Sequence, residues 1–159
     1  MSFRGDDRGR IRDEMRALTS GELLSLPVRL DGIEVGRPVD LVLDPASPRA
    51  LGLEVRCGDG AHRFLAFPAA RVGEDEIAID SGLTLVDDVA FYRSRGTALA
   101  SLRGGRVERA GRGLGRLKDV RVASDGSIVS VVASTPGGEV EVPAAADLRL
   151  VERTKAPAA

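Results

Sequence analysis

The sequence predicts a mainly β protein made of two like units that pack against each other. Along the 159-residue chain, short segments carry an apolar residue at every second position, which is the pattern of half-buried strands. Turn-forming residues separate these segments at close spacing, which favours a small barrel or sandwich over strands joined by crossover helices. The same order of glycine, strand, turn and strand occurs twice, at 34–56 and at 113–134.

Composition places the protein among cytoplasmic globular proteins. The net charge is -1, so the overall field does not attract nucleic acid or anionic lipid, and aromatic residues are only 3%, which removes the usual stacking platforms for single-stranded nucleic acid. Cys57 is the single cysteine, so a reducing compartment is expected. No apolar run approaches the roughly 20 residues of a membrane span, and the N-terminus lacks a signal-peptide core. Peripheral binding at the inner membrane face stays open.

The N-terminal part, residues 1–22, is expected to form a polar tail followed by a short helix. Ile11, Met15 and Leu18 recur at helical spacing within 10–19. We therefore predict a helix that lays this stripe on the body of the protein.

The first unit is expected to occupy residues 23–85. In "PVDLVLD", the alternation predicts that Val39, Leu41 and Leu43 share one face of a strand. The "GDG" at 58–60 is a hairpin signal, and Pro68 ends the strand that follows it. The predicted strands are 24–30, 38–44, 50–57, 62–68 and 76–80.

A linking helix is expected within 86–101. Acidic residues stand at the start of "DDVAFYRSR" and arginines near its end, which complements the helix dipole, and Gly96 follows as a C-terminal cap. This helix separates the two copies of the repeated pattern.

The second unit is expected to occupy residues 102–152, with 153–159 as a tail. Gly36 matches Gly115 and Asp40 matches Asp119, at an offset of 79 residues that falls to 75 late in the repeat. A repeat of this length indicates two like units. Each is marginal alone, because small domains bury little of their surface. We therefore expect one body with a pseudo-twofold relation.

Two segments, "VGRPVDLVLDPASPRALGLEV" and "LGRLKDVRVASDGSIVSVV", resemble the PRC-barrel domain. This small β-barrel occurs in the cytoplasmic part of the photosynthetic reaction-centre H subunit and in the C-terminal part of the ribosome maturation factor RimM. The resemblance implies two tandem PRC-type β-barrels over most of 26–152, with docking on protein partners and no catalysis. The matched Gly36, Asp40, Gly115 and Asp119 are then structural, because glycine permits close backbone approach and aspartate bonds local backbone.

Candidate catalytic groups are few. His62 and Cys57 flank one hairpin, but no third group orients them, so a solvated hairpin is the better interpretation. One histidine and one cysteine cannot build a structural zinc site without carboxylates. The "GRGLG" at 111–115 lacks phosphate-loop spacing and precedes a strand. We predict no catalytic residue, no cofactor, no metal site and no enzymatic activity.

Charge is unevenly distributed along the chain. The acidic segment, residues 74–88, contains Glu74, Asp75, Glu76, Asp80, Asp87 and Asp88. The basic segment, residues 103–121, contains Arg103, Arg106, Arg109, Arg112, Arg116, Lys118 and Arg121. Three interpretations are open. The two segments could pair with each other, within the fold or between subunits, or the basic segment could dock on an acidic partner such as RNA or a membrane complex. In the third, both segments serve only solubility and the protection of edge strands. The first five arginines are the candidate partner-binding residues.

The leading hypothesis is a non-catalytic adaptor or regulatory module on a protein complex, with a membrane-protein complex at its cytoplasmic face as the expected partner. A ribosome-associated maturation factor of the RimM type is the first alternative, motivated by the basic segment; nucleic acid then enters only indirectly. A small-ligand or metal sensor that uses the acidic segment is the second, although that segment has no EF-hand spacing. The partner, the oligomeric state and the pathway stay open.

Overall fold

The computed structural model describes residues 17–153. This part of the chain is mainly β, as predicted, and its strands form two sheets with three short helices. Residues 1–16 and 154–159 lie outside the description, and with them Ile11 and Met15 of the predicted N-terminal stripe.

The first sheet is formed by the strands that lie within residues 28–98. Its strands are β2 (Val28–Leu30), β3 (Ile33–Asp44), β4 (Arg49–Cys57), β5 (His62–Ala66), β6 (Arg71–Val72), β7 (Ile77–Ile79), β8 (Leu85–Val86) and β9 (Thr97–Ala98). Their order is β6-β7-β2-β3-β4-β5-β8, and β9 pairs with β3. The pairing is antiparallel except between β2 and β7, which run parallel.

The second sheet contains mainly residues 106–150. Its strands are β1 (Leu18–Thr19), β10 (Arg106–Arg109), β11 (Arg112–Val122), β12 (Ile128–Thr135), β13 (Gly138–Pro143) and β14 (Leu148–Leu150). Their order is β13-β12-β11-β10-β14, and β1 pairs with β11. In the second sheet, β10 and β14 correspond to β2 and β7 of the first. β10 and β14 pair antiparallel, whereas β2 and β7 pair parallel. Within residues 17–153, neither hydrogen-bonded sheet closes into a barrel.

The helix predicted within 10–19 is wrong at its described end. Leu18 and Thr19 belong to β1, and helix α1 spans Ser20–Leu24. The reason is a capping box: the Thr19 side chain accepts the Glu22 backbone N–H, and the Glu22 carboxylate accepts the Thr19 N–H. Because α1 extends to Leu24, the strand predicted at 24–30 is reduced to β2.

The linking region contains helix α2 (Val89–Arg95), β9 and helix α3 (Leu99–Leu102), so the prediction of a helix in 86–101 is confirmed for its central part. The Asp88 carboxylate caps α2 by accepting the Phe91 N–H at 3.0 Å. Gly96 ends the helix for a different reason from the one predicted. Its backbone is extended, with φ -143°, but a Cβ atom there would lie 2.7 Å from the Leu43 carbonyl oxygen. Gly96 therefore allows close approach to β3.

The prediction that Val39 shares the buried face of Leu41 and Leu43 is wrong. The ladder between β3 and β4 shifts register between Pro38 and Asp40, so Val39 is the extra residue of a β-bulge. Val39 is exposed, whereas Leu41 and Leu43 are fully buried. A bulge reverses the alternation of side chains, which period-two patterning does not anticipate.

The bulge recurs in the second sheet at the matching place. The ladder between β11 and β12 shifts register between Leu117 and Asp119, with Lys118 as the extra residue. A further shift lies between Val28 and Arg29 of β2, and its counterpart lies between Val107 and Glu108 of β10. The two sheets therefore share their irregularities as well as their strand pattern.

The short strand that precedes each unit pairs with the sheet of the other unit. β1, which precedes the first unit, pairs Leu18 with Val122 of the second sheet. β9, which precedes the second unit, pairs Thr97 with Leu43 of the first sheet. Each of these two-residue strands leads directly into a short helix, α1 or α3. This reciprocal exchange ties the units together by backbone hydrogen bonds.

The turns of the two long hairpins also meet. The Ala50 N–H donates to the Gly126 carbonyl at 2.7 Å, and the Ile128 N–H donates to the Pro48 carbonyl at 3.1 Å. Gly126 has φ +92°, and a Cβ atom there would lie 2.9 Å from the Ala50 oxygen. The buried side chains of both sheets form one cluster, which includes Leu41, Leu53 and Ile77 of the first and Val107, Val120 and Val131 of the second.

Candidate functional site

The basic segment, residues 103–121, comprises the turn before β10, β10 itself and most of β11. Arg103 lies in the turn and is partly exposed. Its Nη2 donates to the Ser20 hydroxyl oxygen at 2.5 Å and lies 3.8 Å from the Asp119 carboxylate. The Ser20 hydroxyl in turn donates to the Asp119 carboxylate at 2.5 Å. Arg103 is thus engaged in holding α1 against β11.

Arg109 is also occupied within the fold. Its Nη2 donates to the Pro143 carbonyl at 2.7 Å, and its Nε lies 3.8 Å from the Asp147 carboxylate. These contacts join the end of β10 to the loop between β13 and β14. Arg112 lies directly opposite Arg109 in the β10–β11 ladder and is exposed. Of this pair, Arg112 presents its side chain to solvent.

Arg106 and Arg116 face each other across the same ladder, as cross-strand neighbours. Both line a cleft of about 360 Å³, together with Gly105, Glu152 and Arg153. The cleft thus brings together two residues predicted from the sequence and a third arginine from the chain after β14. Sequence reasoning assigned Arg153 to the tail, because nothing local to residue 153 indicates the return of the chain to β10.

The last two bases of the segment pair with β13. The Lys118 ammonium contacts the Glu139 carboxylate, and Arg121 Nε lies 2.9 Å from a Glu141 oxygen. These ion pairs cross β12 and connect β11 with the edge strand of the sheet. Arg106, Arg112 and Arg116 are exposed and form the candidate surface, whereas Arg103 and Lys118 are exposed but are held in the contacts described above.

The acidic segment pairs with arginines of its own sheet. The ion pairs are Arg29–Glu76 at 3.5 Å, Arg71–Asp80 at 2.6 Å and Arg63–Asp87 at 2.6 Å. Asp88, as described, caps α2. These three ion pairs lie within the first sheet, and none of them joins the acidic segment to the basic segment.

The four residues that match between the two copies, Gly36, Asp40, Gly115 and Asp119, lie close to the protein's own backbone. A Cβ atom at Gly36 would lie 2.9 Å from the Arg56 carbonyl oxygen, and one at Gly115, where φ is +141°, would lie 2.7 Å from that of Ser134. Each aspartate sits at a bulge and accepts the N–H of the next residue at 2.8 Å: Asp40 from Leu41 and Asp119 from Val120. These side chains stabilise the irregular strands.

One group of charged residues was missed by sequence reasoning. Glu54 lies in the middle of β4 and is 4% exposed. One carboxylate oxygen lies 2.8 Å from His62 Nδ1, and the other accepts a hydrogen bond from the Arg93 guanidinium of α2. Alternation with Leu53 and Val55 places Glu54 on the face away from the core, where a carboxylate is ordinarily solvated. Only the packing of α2 buries it.

Aromatic stacking holds α2 over that face. The Tyr92 ring stacks on Phe64 of β5 at 3.9 Å between centroids, with an interplanar angle of 11°. Because Phe64 pairs with Glu54 in the β4–β5 ladder, the ring stack and the Arg93–Glu54 contact lie side by side. Together they make a clamp that fixes the helix to the first sheet.

The arrangement does not bring His62 to Cys57. His62 pairs with Arg56 in the ladder and therefore lies on the face opposite to its neighbour Cys57. Cys57 is buried, and its Sγ lies 3.9 Å from the Val55 carbonyl oxygen. His62 thus contacts Glu54, and the Cys57 thiol is buried in the interior.

A salt bridge beside this clamp shifts the ionisation of its partners. Arg63 donates to both oxygens of Asp59, at 3.1 and 2.8 Å. These hydrogen bonds lower the pKa of Asp59 to about 2, with the Ala61 backbone N–H as a second cause. At the turn of the second unit, the Ser127 backbone N–H lowers the pKa of Asp125.

Two other features, a metal site and a membrane-spanning helix, are absent from the part of the chain that is described. Among residues 17–153, no group of three or more histidine, cysteine, aspartate or glutamate side chains is arranged to hold a metal ion. Over the same range, no helix has the length and apolarity that crossing a bilayer demands. The Arg106–Arg116 ladder positions and the cleft that these residues line form the candidate binding feature of the basic segment.

Comparison with known proteins does not assign the chain to a family. No protein-family model matches the chain. No curated protein is significantly similar to it.

Proposed function

We propose that this chain is a non-catalytic adaptor or regulatory module, and that it docks on an acidic surface of a protein partner through arginines of the second sheet. The observation that carries the proposal is the β10–β11 ladder, in which Arg106 lies opposite Arg116 and Arg109 lies opposite Arg112. Like charges at directly opposite positions repel and weaken a sheet. An acidic partner surface offsets this repulsion, and it also speeds association by electrostatic steering.

The two units belong, in this proposal, to the PRC-barrel type. The sequence resemblance supports it, and so does the recurrence of the same bulges at Asp40 and Asp119 with the same local hydrogen bond. Since PRC-type domains serve as docking modules, the resemblance to the reaction-centre H subunit directs the search for the partner to membrane-protein complexes at their cytoplasmic face.

The contacts of the titratable side chains support a role without catalysis. Glu54 is engaged by His62 and Arg93 in holding α2, and a general base needs a free position beside its substrate. Cys57 is buried on the other face of the sheet. These groups are explained by stability alone.

The test is in-cell crosslinking of the tagged chain, followed by mass spectrometry of membrane and ribosomal fractions. The double variant Arg112→Glu/Arg116→Glu reverses charge on the proposed surface. Arg37→Glu is the control, because Arg37 is exposed, lies on the first sheet and pairs with Glu34, three residues away. We expect one membrane complex to be recovered with the wild type and with Arg37→Glu but lost with the double variant. Equal recovery with both variants contradicts the proposed surface.

A ribosome-associated factor of the RimM type is the second candidate, and the same exposed arginines favour it. It predicts co-sedimentation with small ribosomal subunits at moderate salt, weakened by Arg112→Glu/Arg116→Glu. Charge-dependent recovery in that fraction, in place of a membrane complex, would select this candidate.

A metal sensor built on the acidic segment is the least supported alternative. Glu76, Asp80 and Asp87 each pair with an arginine of the first sheet, so a cation has to displace three guanidinium groups. A rise in melting temperature with divalent ions is the result that supports a sensor, because binding to the native state must stabilise it.

A further inference from the structure

The cleft at the end of the second sheet has an unusual concentration of guanidinium groups. Arg106 of β10 and Arg116 of β11 are directly opposite each other, and such positions place their Cβ atoms roughly 5 Å apart. Arg153 lines the same cleft from the chain after β14. Three arginines thus line a space of about 360 Å³, and Glu152 lines it with them.

Backbone contacts fix the positions of these arginines. Arg116 Nη1 donates to the Gly104 carbonyl at 2.9 Å, and the Arg153 backbone N–H donates to the Ser101 carbonyl at 3.2 Å. Gly105 forms the floor, where a Cβ atom would collide with the Val151 carbonyl oxygen. The chain after β14 therefore lies directly on the turn before β10. The hydrogen bond of Arg116 reduces the conformational freedom that this side chain has to lose when it binds.

The positive charge of the cleft is only partly balanced. The Glu108 carboxylate lies 3.5 Å from Arg106, and the bond of Arg116 goes to a neutral carbonyl group. Guanidinium groups bind phosphate oxygens through paired N–H donors. A phosphate dianion presents oxygens in three dimensions and accepts from several arginines, whereas a carboxylate offers two oxygens in one plane. The geometry favours phosphate.

We propose that the cleft formed by Arg106, Arg116 and Arg153 binds the phosphate group of a small phosphorylated molecule. The proposal goes beyond partner docking, although two of its arginines belong to the proposed partner surface. The two proposals are separable by experiment. Phosphate binding is measured on the purified chain, and partner recovery is tested by Arg112→Glu alone, which lies outside the cleft.

The experiment is isothermal titration and thermal unfolding of the full chain with inorganic phosphate and pyrophosphate, at ionic strength held constant with chloride. We expect saturable binding and a rise in melting temperature with ligand concentration. Arg116→Gln and Arg153→Gln are expected to weaken binding about tenfold or more, because each removes a charge-assisted hydrogen bond. Arg37→Gln is the matched control, because Arg37 is exposed and lies on the first sheet, outside the cleft, and it is expected to bind as the wild type does.

Two further variants test the geometry and not merely the charge. Glu152→Gln removes the competing carboxylate and is expected to tighten binding several-fold. Arg116→Lys keeps the charge but loses the planar fork, so binding is expected to fall nearly as far as in Arg116→Gln. Non-saturable binding, equal effects of chloride and phosphate, unchanged affinity in Glu152→Gln, or full affinity in Arg116→Lys would each overturn the proposal. Melting temperatures without phosphate establish that the variants fold.

Discussion

The Arg93 guanidinium of α2 bonds the carboxylate of Glu54, a residue 39 positions earlier in the middle of β4. The carboxylate is 5% exposed and the arginine 55%, so one partner is buried and the other reaches solvent. His62 completes the environment of Glu54 from the neighbouring strand. This contact decides how the region between the units lies on the first sheet.

Replacement of Arg93 is expected to destabilise the protein. Arg93→Ala leaves the buried Glu54 carboxylate with His62 alone, and the loss in the free energy of unfolding is expected to be about 1–2 kcal/mol, discounted for the solvent exposure of the arginine. Urea unfolding measures it. Arg95→Ala on the same helix, where the arginine lies over the Phe91 ring, serves as the control with a loss below about 1 kcal/mol. Equal losses in the two variants contradict the clamp.

The contact between the long hairpin turns is testable by a pair of glycine substitutions. Gly126→Ala introduces a Cβ atom 2.9 Å from the Ala50 oxygen and 3.0 Å from Phe67 Cγ, at φ +92°. Gly60→Ala meets nothing within 4 Å at a similar φ of +83°. We expect a loss of about 1 kcal/mol for Gly60→Ala from backbone strain alone and about 3 kcal/mol for Gly126→Ala. The difference, measured by denaturant unfolding, reports the crowding between units, and similar values for both would rule it out.

Ser20 links α1 to the second sheet. It is fully buried, and its hydroxyl donates to Asp119 and accepts from Arg103. Ser20→Ala removes both bonds and is expected to cost about 1–2 kcal/mol. Hydrogen exchange of the amides in 19–24 should accelerate. Ser25→Ala is the control, since the Ser25 hydroxyl bonds only the Glu22 carbonyl nearby; faster exchange in this variant alone is the outcome that contradicts the assignment.

Acid titration should reveal the Asp59–Arg63 pair. The pKa of Asp59 is lowered from 3.8 to about 2 by its hydrogen bonds to Arg63. Between these pH values the unfolded state binds more protons than the folded state, so stability rises with pH there. The contribution is complete above about pH 4 and is lost as the pH falls towards 2. The melting-temperature difference between wild type and Asp59→Asn should therefore be constant at pH 5–7 and vanish near pH 2.

Much of the strand pattern was predictable because it is encoded locally. Alternation identified the strands around Leu41 and Leu53, and the charge order of 87–95, with acids first and arginines last, identified α2. The capping box of Thr19 and Glu22 was also present in the sequence as "TSGE" and would have placed the start of α1 correctly. The bulge at Val39 had no comparable local signal.

The candidate site was predicted only as a set of arginines. The sequence identified Arg106 and Arg116 as part of a basic segment, but their cross-strand pairing depends on the register set by the β10–β11 bulge. Arg153 reaches the cleft because the chain after β14 returns over the Gly105 turn. The contact that Arg103 makes within the fold also depends on a distant segment, since α1 supplies its partner Ser20.

The sequence by itself determined the β class, the positions of most turns and the matched pairs Gly36–Gly115 and Asp40–Asp119, because these depend on residues within one strand or turn. Only the tertiary structure decided the exchange of β1 and β9, the parallel pairing of β2 with β7, the burial of Glu54 and the placement of three arginines along one cleft. Each of these is a choice among distant partners. Side-chain periodicity determines which face of a strand is apolar, but the free energy of packing the whole chain selects what covers that face.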